Sequence, residues 1–286
     1  MTGPLSRRGL LAAGGTGLGL ALGACGTTRK MTRTETRKPS GSQRISYGKD
    51  DQQYADLTRP SGNEKGLVVL VHGGYWQAGY GADLMVPLAR AFTSDGYATW
   101  NIEYRRVGSD GGWPATFEDV AGAMDRLAGM SLPPAVLLGH SAGGHLAAWA
   151  ASRTAETPGG APRGKIAGAV CLSGLLDLTA AAKAPESGSP TRGLMGGAPE
   201  TVPERYALGD PALLAPAGCP LWAVQPEGEQ VIPIDQADRY VAAATRAGGE
   251  AETVSVPGDH FTLIDPRADS FTTIARLVTE AAAALD

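Results

Sequence analysis

The sequence predicts an α/β chain with a mainly parallel sheet, helices on both of its faces and a lid-like insertion. Three observations predict it. Short apolar or β-branched runs alternate with longer stretches of helical period. One of those runs, residues 66–71, is almost continuously apolar, as a strand buried on both faces must be. A Pro- and Gly-rich segment, residues 175–219, then breaks the alternation and shows little periodicity of its own.

The elements follow in order. Strands are expected over 66–71, 98–104, 135–138, 166–173, 221–225 and 252–256. Helices are expected over 117–130, where Val120, Met124 and Leu127 share a face, and over 142–153, 233–247 and 270–284. Residues 175–219 are expected to lie over the carboxyl edge of the sheet, where open α/β sheets bind ligands. There they would form a lid or a substrate wall.

The first residues do not belong to that body. Residues 1–40 carry seven Lys/Arg against one acid; the rest carries 18 against 28, within a net charge of −4. An acidic body leaves no footprint for nucleic acid, so that class of partner is excluded. Arg7-Arg8 precedes an apolar, Gly-rich run from Gly9 to Ala24, short of the ~20 residues that span a bilayer. This is the pattern of a signal peptide, and the paired arginine points to the twin-arginine export route. Leu22-Gly23-Ala24-Cys25 resembles a bacterial lipobox, with Cys25 as the lipidated residue. The expected organisation is a signal peptide at 1–25, a solvated tether at 26–43 and a catalytic domain at 44–286. The product would be a membrane lipoprotein or an extracellular protein, and its membrane partner would be met through Cys25. Of the three cysteines, Cys171 and Cys219 remain. Export permits them to pair, but two free thiols are the expectation, and neither lies in metal-ligand spacing.

Gly139-His140-Ser141-Ala142-Gly143 fits G-x-S-x-G. With 40 glycines among 286 residues the pattern alone is weak. Its setting is informative: an apolar strand ends at it and an Ala-rich helix begins on it, the strand–turn–helix of a nucleophile elbow. Ser141 is therefore the candidate nucleophile, at a helix N-terminus that favours developing negative charge. Residues 68–71 run straight into His72-Gly73-Gly74-Tyr75-Trp76. The N–H groups of Gly73 and Gly74, with that of Ala142, are the candidate oxyanion donors. Tyr75 and Trp76 are candidates to line the substrate site or to fill the core.

A serine nucleophile needs a base. Of the four histidines, His72 precedes the glycine pair, and His140 and His145 sit on the elbow. His260, just past the strand at 252–256, stands where the order nucleophile, acid, base requires it. The acid should follow the strand at 221–225. Glu229 is preferred, with Glu227 and Asp235 as alternatives. No metal or organic cofactor is implied.

These residues carry a resemblance. Over residues 44–285 the chain resembles the kynurenine formamidase-like and carboxylesterase branches of the α/β-hydrolase superfamily. The marks are Tyr47-Gly48, Gln53 to Asp56, Pro60, His72 to Trp76, Tyr104-Arg105, Trp113-Pro114, Glu118 to Val120, Gly139 to Gly144 and Asp259-His260-Phe261. The H-G-G-x-W form is typical of the formamidases. By resemblance, Glu229 stands where many relatives carry Asp, and Gln225-Pro226 where they carry His-Gly. The resemblance implies a serine hydrolase that cleaves a small carboxylic ester or amide through an acyl-enzyme, and the N-terminal pattern adds the expectation of export. A non-catalytic binding protein on the same fold, and an acyltransferase using the same three residues, are the alternatives.

Overall fold

In the computed structural model, residues 37–283 are described. The expectations for residues 1–25, for Cys25 and for most of the tether lie outside them. No helix among the described residues is long and apolar enough to cross a membrane.

The strands are β1 (Gln43–Ser46), β2 (Tyr54–Thr58), β3 (Leu67–Val71), β4 (Ala98–Ile102), β5 (Ala135–His140), β6 (Ile166–Leu172), β7 (Leu221–Pro226) and β8 (Ala251–Val256). They form one sheet in the order β1-β2-β4-β3-β5-β6-β7-β8. From β4 to β8 every pairing is parallel, and β1 and β2 add an antiparallel margin. The six parallel strands are those expected; the β1–β2 hairpin was not. Its first strand is Gln-Arg-Ile-Ser, short and largely exposed, with no apolar run to mark it.

Parallel strands need crossovers, and the crossovers supply the helices. These are α1 (Val86–Ser94), α2 (Ala115–Leu127), α3 (Ala142–Ala151) and α8 (Gln236–Arg246), and α9 (Ser270–Ala283) follows the last strand. β3 is buried throughout, and alternate residues serve opposite faces. Val69 and Val71 pack with Leu137, Phe117, Trp149 and Tyr240 in one core. Val68 and Leu70 pack with Leu138, Leu88, Phe92 and Leu277 in the other. Truncating a central leucine such as Leu137 would cost about 2–5 kcal/mol, because the cavity collapses only partly.

The segment read as an insertion holds four short helices: α4 (Leu178–Ala181), α5 (Gly188–Met195), α6 (Pro203–Gly209) and α7 (Pro211–Leu214). It is anchored, not loose. Leu175, Leu176, Leu194, Met195 and Tyr206 enter the first core. Trp149 Nε1 donates to the Leu208 carbonyl at 2.9 Å, and the buried Asp210 carboxylate accepts from the N–H groups of Leu178, Thr179 and Ala212. Cys171 and Cys219 are free thiols.

Because β3, β5, β7 and β8 run parallel, their carboxyl ends meet at one edge of the sheet. That edge receives residues 72–76, Ser141, Glu229 and His260.

Candidate active site

β5 ends at His140 and α3 begins at Ala142, so one residue must reverse the chain. Ser141 does so at φ 55°, ψ −120°, a strained left-handed conformation. Its N–H is held by the Leu172 carbonyl at 2.8 Å. The turn tolerates no side chain at Gly143, where a Cβ would lie 2.1 Å from the Val71 carbonyl oxygen. Gly143→Ala is accordingly expected to cost about 1–3 kcal/mol or more through overpacking against backbone. Thermal denaturation checks this, and an unshifted midpoint would contradict it.

His260 follows β8 in a tight turn, where Asp259 Oδ1 accepts from the N–H groups of Phe261 and Thr262, both at 3.0 Å. Its side chain is almost wholly buried, and its Nδ1 donates to Glu229 Oε2 at 2.9 Å. Of the three acids considered, Glu229 is the one that meets the imidazole. Glu227 is exposed, and Asp235 pairs with Arg239 at the start of α8.

The Glu229 carboxylate is fully engaged. Oε2 accepts from His260 and from the Ser173 hydroxyl; Oε1 accepts from Val231 N–H at 2.7 Å and Ile232 N–H at 3.2 Å. A carboxylate offers about four acceptor sites. Burial pushes its pKa up, but the His260 bond and charge, the Ser173 hydroxyl and the Val231 N–H outweigh that and hold it down at about 2. Glu229 is thus an anion throughout the working range, and Nδ1–H of His260 is fixed as the donor. Nε2 is then the nitrogen that can take a proton from Ser141. The structure places Ser141 and His260 at the same edge, but no hydrogen bond joins Ser141 Oγ to the ring. Such links are often long until substrate tightens them.

The oxyanion loop lies against the elbow. A Cβ on Gly73 would come 3.0 Å from the Ser141 Cβ, and Gly74 adopts φ 108°, which favours glycine. His72 holds the loop from below. Its Nδ1 contacts the Gly73 carbonyl at 2.8 Å, its Nε2 contacts Glu103 at 3.1 Å, and its ring stacks on Tyr104 at 4.2 Å. Ala142 heads α3, so its N–H is one of the unpaired donors of a helix start.

The two aromatic candidates part company. Tyr75 stands between the oxyanion loop and the acid loop. Burial and the Glu229 charge raise its pKa to about 12, and its hydroxyl donates to the Val231 carbonyl at 2.7 Å. Trp76 does not line a substrate site. It is 0% exposed, and its Nε1 donates to the Ala142 carbonyl and to His145 Nδ1, both at 3.2 Å. The indole braces the first turn of α3 from the core side. His145 completes this brace through Gly209, and burial keeps it neutral by lowering its pKa to about 4.

Sequence reasoning missed three participants. Ser173 follows β6 at φ 48° and holds the acid; its only signal was a Ser-Gly pair after an apolar strand. Tyr80, half exposed, packs on Gly74, and Phe261, 52% exposed, packs edge-on against the His260 ring at 5.3 Å. Large exposed apolar side chains are few among the described residues. Two of them, Tyr80 and Phe261, border the oxyanion loop and the base.

The BD-FAE family model matches residues 55–243, from β2 into α8, a span that holds Gly73, Gly74, Ser141 and Glu229. No curated protein sequence matches the chain. Among solved structures, a truncated carbohydrate esterase from gut microbiota is similar at TM-score 0.74 and 20% identity, over 85% of this chain and 96% of that one. Esterase B from Lactobacillus rhamnosis is similar at TM-score 0.70 and 16% identity, over 86% and 88% of the two chains. A thermophilic esterase from the planctomycete Thermogutta terrifontis, with propionate bound, is similar at TM-score 0.68 and 20% identity, over 84% and 93%. These likenesses, with the parallel sheet and its flanking helices, show the α/β-hydrolase fold.

Proposed function

This chain belongs to the BD-FAE family, and on that premise we propose that it is a serine hydrolase of small carboxylic esters. The observation that carries the reading is the Glu229–His260 hydrogen bond at the sheet edge where the elbow presents Ser141. In the proposed cycle, Ser141 Oγ attacks the ester carbonyl carbon and passes its proton to His260 Nε2. Glu229 holds the ring and balances the imidazolium. The N–H groups of Ala142 and of Gly74 or Gly73 receive the oxyanion. His260 then returns the proton to the leaving alkoxide, and water repeats the sequence to release the acid. Each oxyanion donor is worth about 2.7–4 kcal/mol to the barrier. The cycle needs no metal and no organic cofactor.

For the substrate, the carbohydrate esterase and the propionate-bound esterase among the structural relatives support short acyl groups carried on sugars. An arylformamide is the second reading, favoured by His72-Gly73-Gly74-Tyr75-Trp76. Export through Arg7-Arg8 and lipidation at Cys25 are part of the proposal and favour the sugar ester, since they place the enzyme where such substrates occur. Parallel rates on p-nitrophenyl acetate, p-nitrophenyl decanoate, a peracetylated sugar and N-formylkynurenine test it. The two acetyl esters are expected to be turned over fastest. Turnover of N-formylkynurenine alone would transfer the assignment to the formamidase reading, and product made only with an added acceptor alcohol would indicate acyl transfer. No turnover on any of them would favour a binding protein.

A further inference from the structure

His140 precedes the nucleophile, and its imidazole reaches the loop that carries the base. Its Nε2 donates to the backbone carbonyl of His260 at 2.8 Å, and the two rings lie 4.7 Å apart at 55°. On its other side the ring touches the oxyanion loop. A Cβ on Gly73 would come 2.8 Å from the His140 carbonyl oxygen and 3.1 Å from its Nδ1. Three functional loops therefore meet on one side chain.

We propose that His140 is a positioning residue: its Nε2–H tethers the His260 backbone, and so sets where the base stands relative to Ser141 and the oxyanion loop. This rests on the serine-hydrolase reading and adds a residue to it.

The bland alternative is a histidine that fills space. The hydrogen-bond inventory speaks against it. A carbonyl only accepts, so Nε2 carries the proton and Nδ1 is a bare acceptor. Nδ1 is buried, with no partner among the described residues. Burying an unpaired nitrogen is unfavourable, and an apolar side chain of this size would avoid it. What the imidazole adds is the Nε2–H bond. Burial, then the neighbouring His260 charge, lower the pKa of His140 to about 3. The ring therefore stays neutral beside a base that becomes cationic in each cycle.

Three variants of the full chain test the proposal. In His140→Leu the donor is lost. In His140→Asn an amide is present but too short to reach. In His140→Gln an amide N–H can replace Nε2–H. With p-nitrophenyl acetate, Leu and Asn are expected to lower kcat about 10- to 100-fold with KM within about twofold, the size of effect that a small misplacement of reacting groups produces. Gln is expected to recover most of kcat. Amide hydrogen exchange over residues 257–263 is expected to quicken in Leu and Asn and not in Gln, a readout that needs no turnover. Equal kcat and unchanged exchange in all three would overturn the proposal, as would a Gln variant as slow as Leu. A lowered melting point with unchanged kcat per folded molecule would reduce His140 to a packing residue. A wild type that neither turns over ester nor reacts with a fluorophosphonate would instead remove the hydrolase reading, while the exchange result would still decide the tether.

Discussion

Replacing Ser141 by alanine is expected to lower ester turnover by about 10³- to 10⁶-fold while leaving the fold intact. The size follows from the chemistry. The residues of a nucleophile–base–acid set act as a unit, and loss of the nucleophile leaves only binding and the oxyanion donors. The intact fold follows from the structure. The Ser141 backbone is held by its N–H bond to Leu172 and by the His145 N–H on its carbonyl, and alanine keeps both. Alanine also meets the same strain at φ 55°, so the backbone cost does not change. Steady-state rates on p-nitrophenyl acetate, with a melting curve as control, check the prediction. Residual activity within tenfold of wild type would place the nucleophile elsewhere.

Glu229→Gln is expected to cost about 10³- to 10⁴-fold in kcat, nearly as much, for a reason specific to this site. The N–H groups of Val231 and Ile232 both point at Oε1. They would select the amide oxygen of glutamine and leave its NH₂ facing His260 and Ser173. That NH₂ cannot accept from Nδ1–H, so the ring must turn to the tautomer with its proton on Nε2. In that state it cannot take the proton of Ser141.

The same substitution has a signature in stability. The pKa of Glu229 is held at about 2 in the folded chain, below its ordinary 4.5. A depressed carboxyl pKa stabilises the fold above the ordinary value, and that contribution is lost as pH falls toward 2. The wild-type melting temperature should therefore fall between about pH 5 and pH 2 more steeply than that of Glu229→Gln. Parallel acid limbs in the two proteins would show that the carboxylate does not hold the acid loop.

Much of this was legible in the sequence because it depends on local pattern. Leu67–Val71 and residues 135–138 of β5 announce themselves as strands because burial on both faces demands unbroken apolar residues. Ser141 was legible from the strand that stops at it and the helix that starts on it, and His260 from its place after the last strand. Glu229 could be preferred but not singled out, because Glu227 is two residues away and only the turn after β7 decides which one faces the ring. The four helices of residues 178–214 were illegible because four to eight residues make too few turns to show a period. Trp76 was left open because an aromatic after a glycine pair looks the same whether it turns to substrate or to the core; its burial and its bonds to Ala142 and His145 decide for the core. Ser173 and His140 act through single hydrogen bonds to groups 56 and 120 positions away, which no spacing rule reports.

The most direct test of the account is to map where a fluorophosphonate attaches to the folded chain. One phosphonyl group per molecule is predicted, on the peptide that contains Ser141, with labelling strongly slowed in Glu229→Gln. A stoichiometric adduct on any other serine, or a folded wild type that takes up none, would contradict the assignment of Ser141, Glu229 and His260.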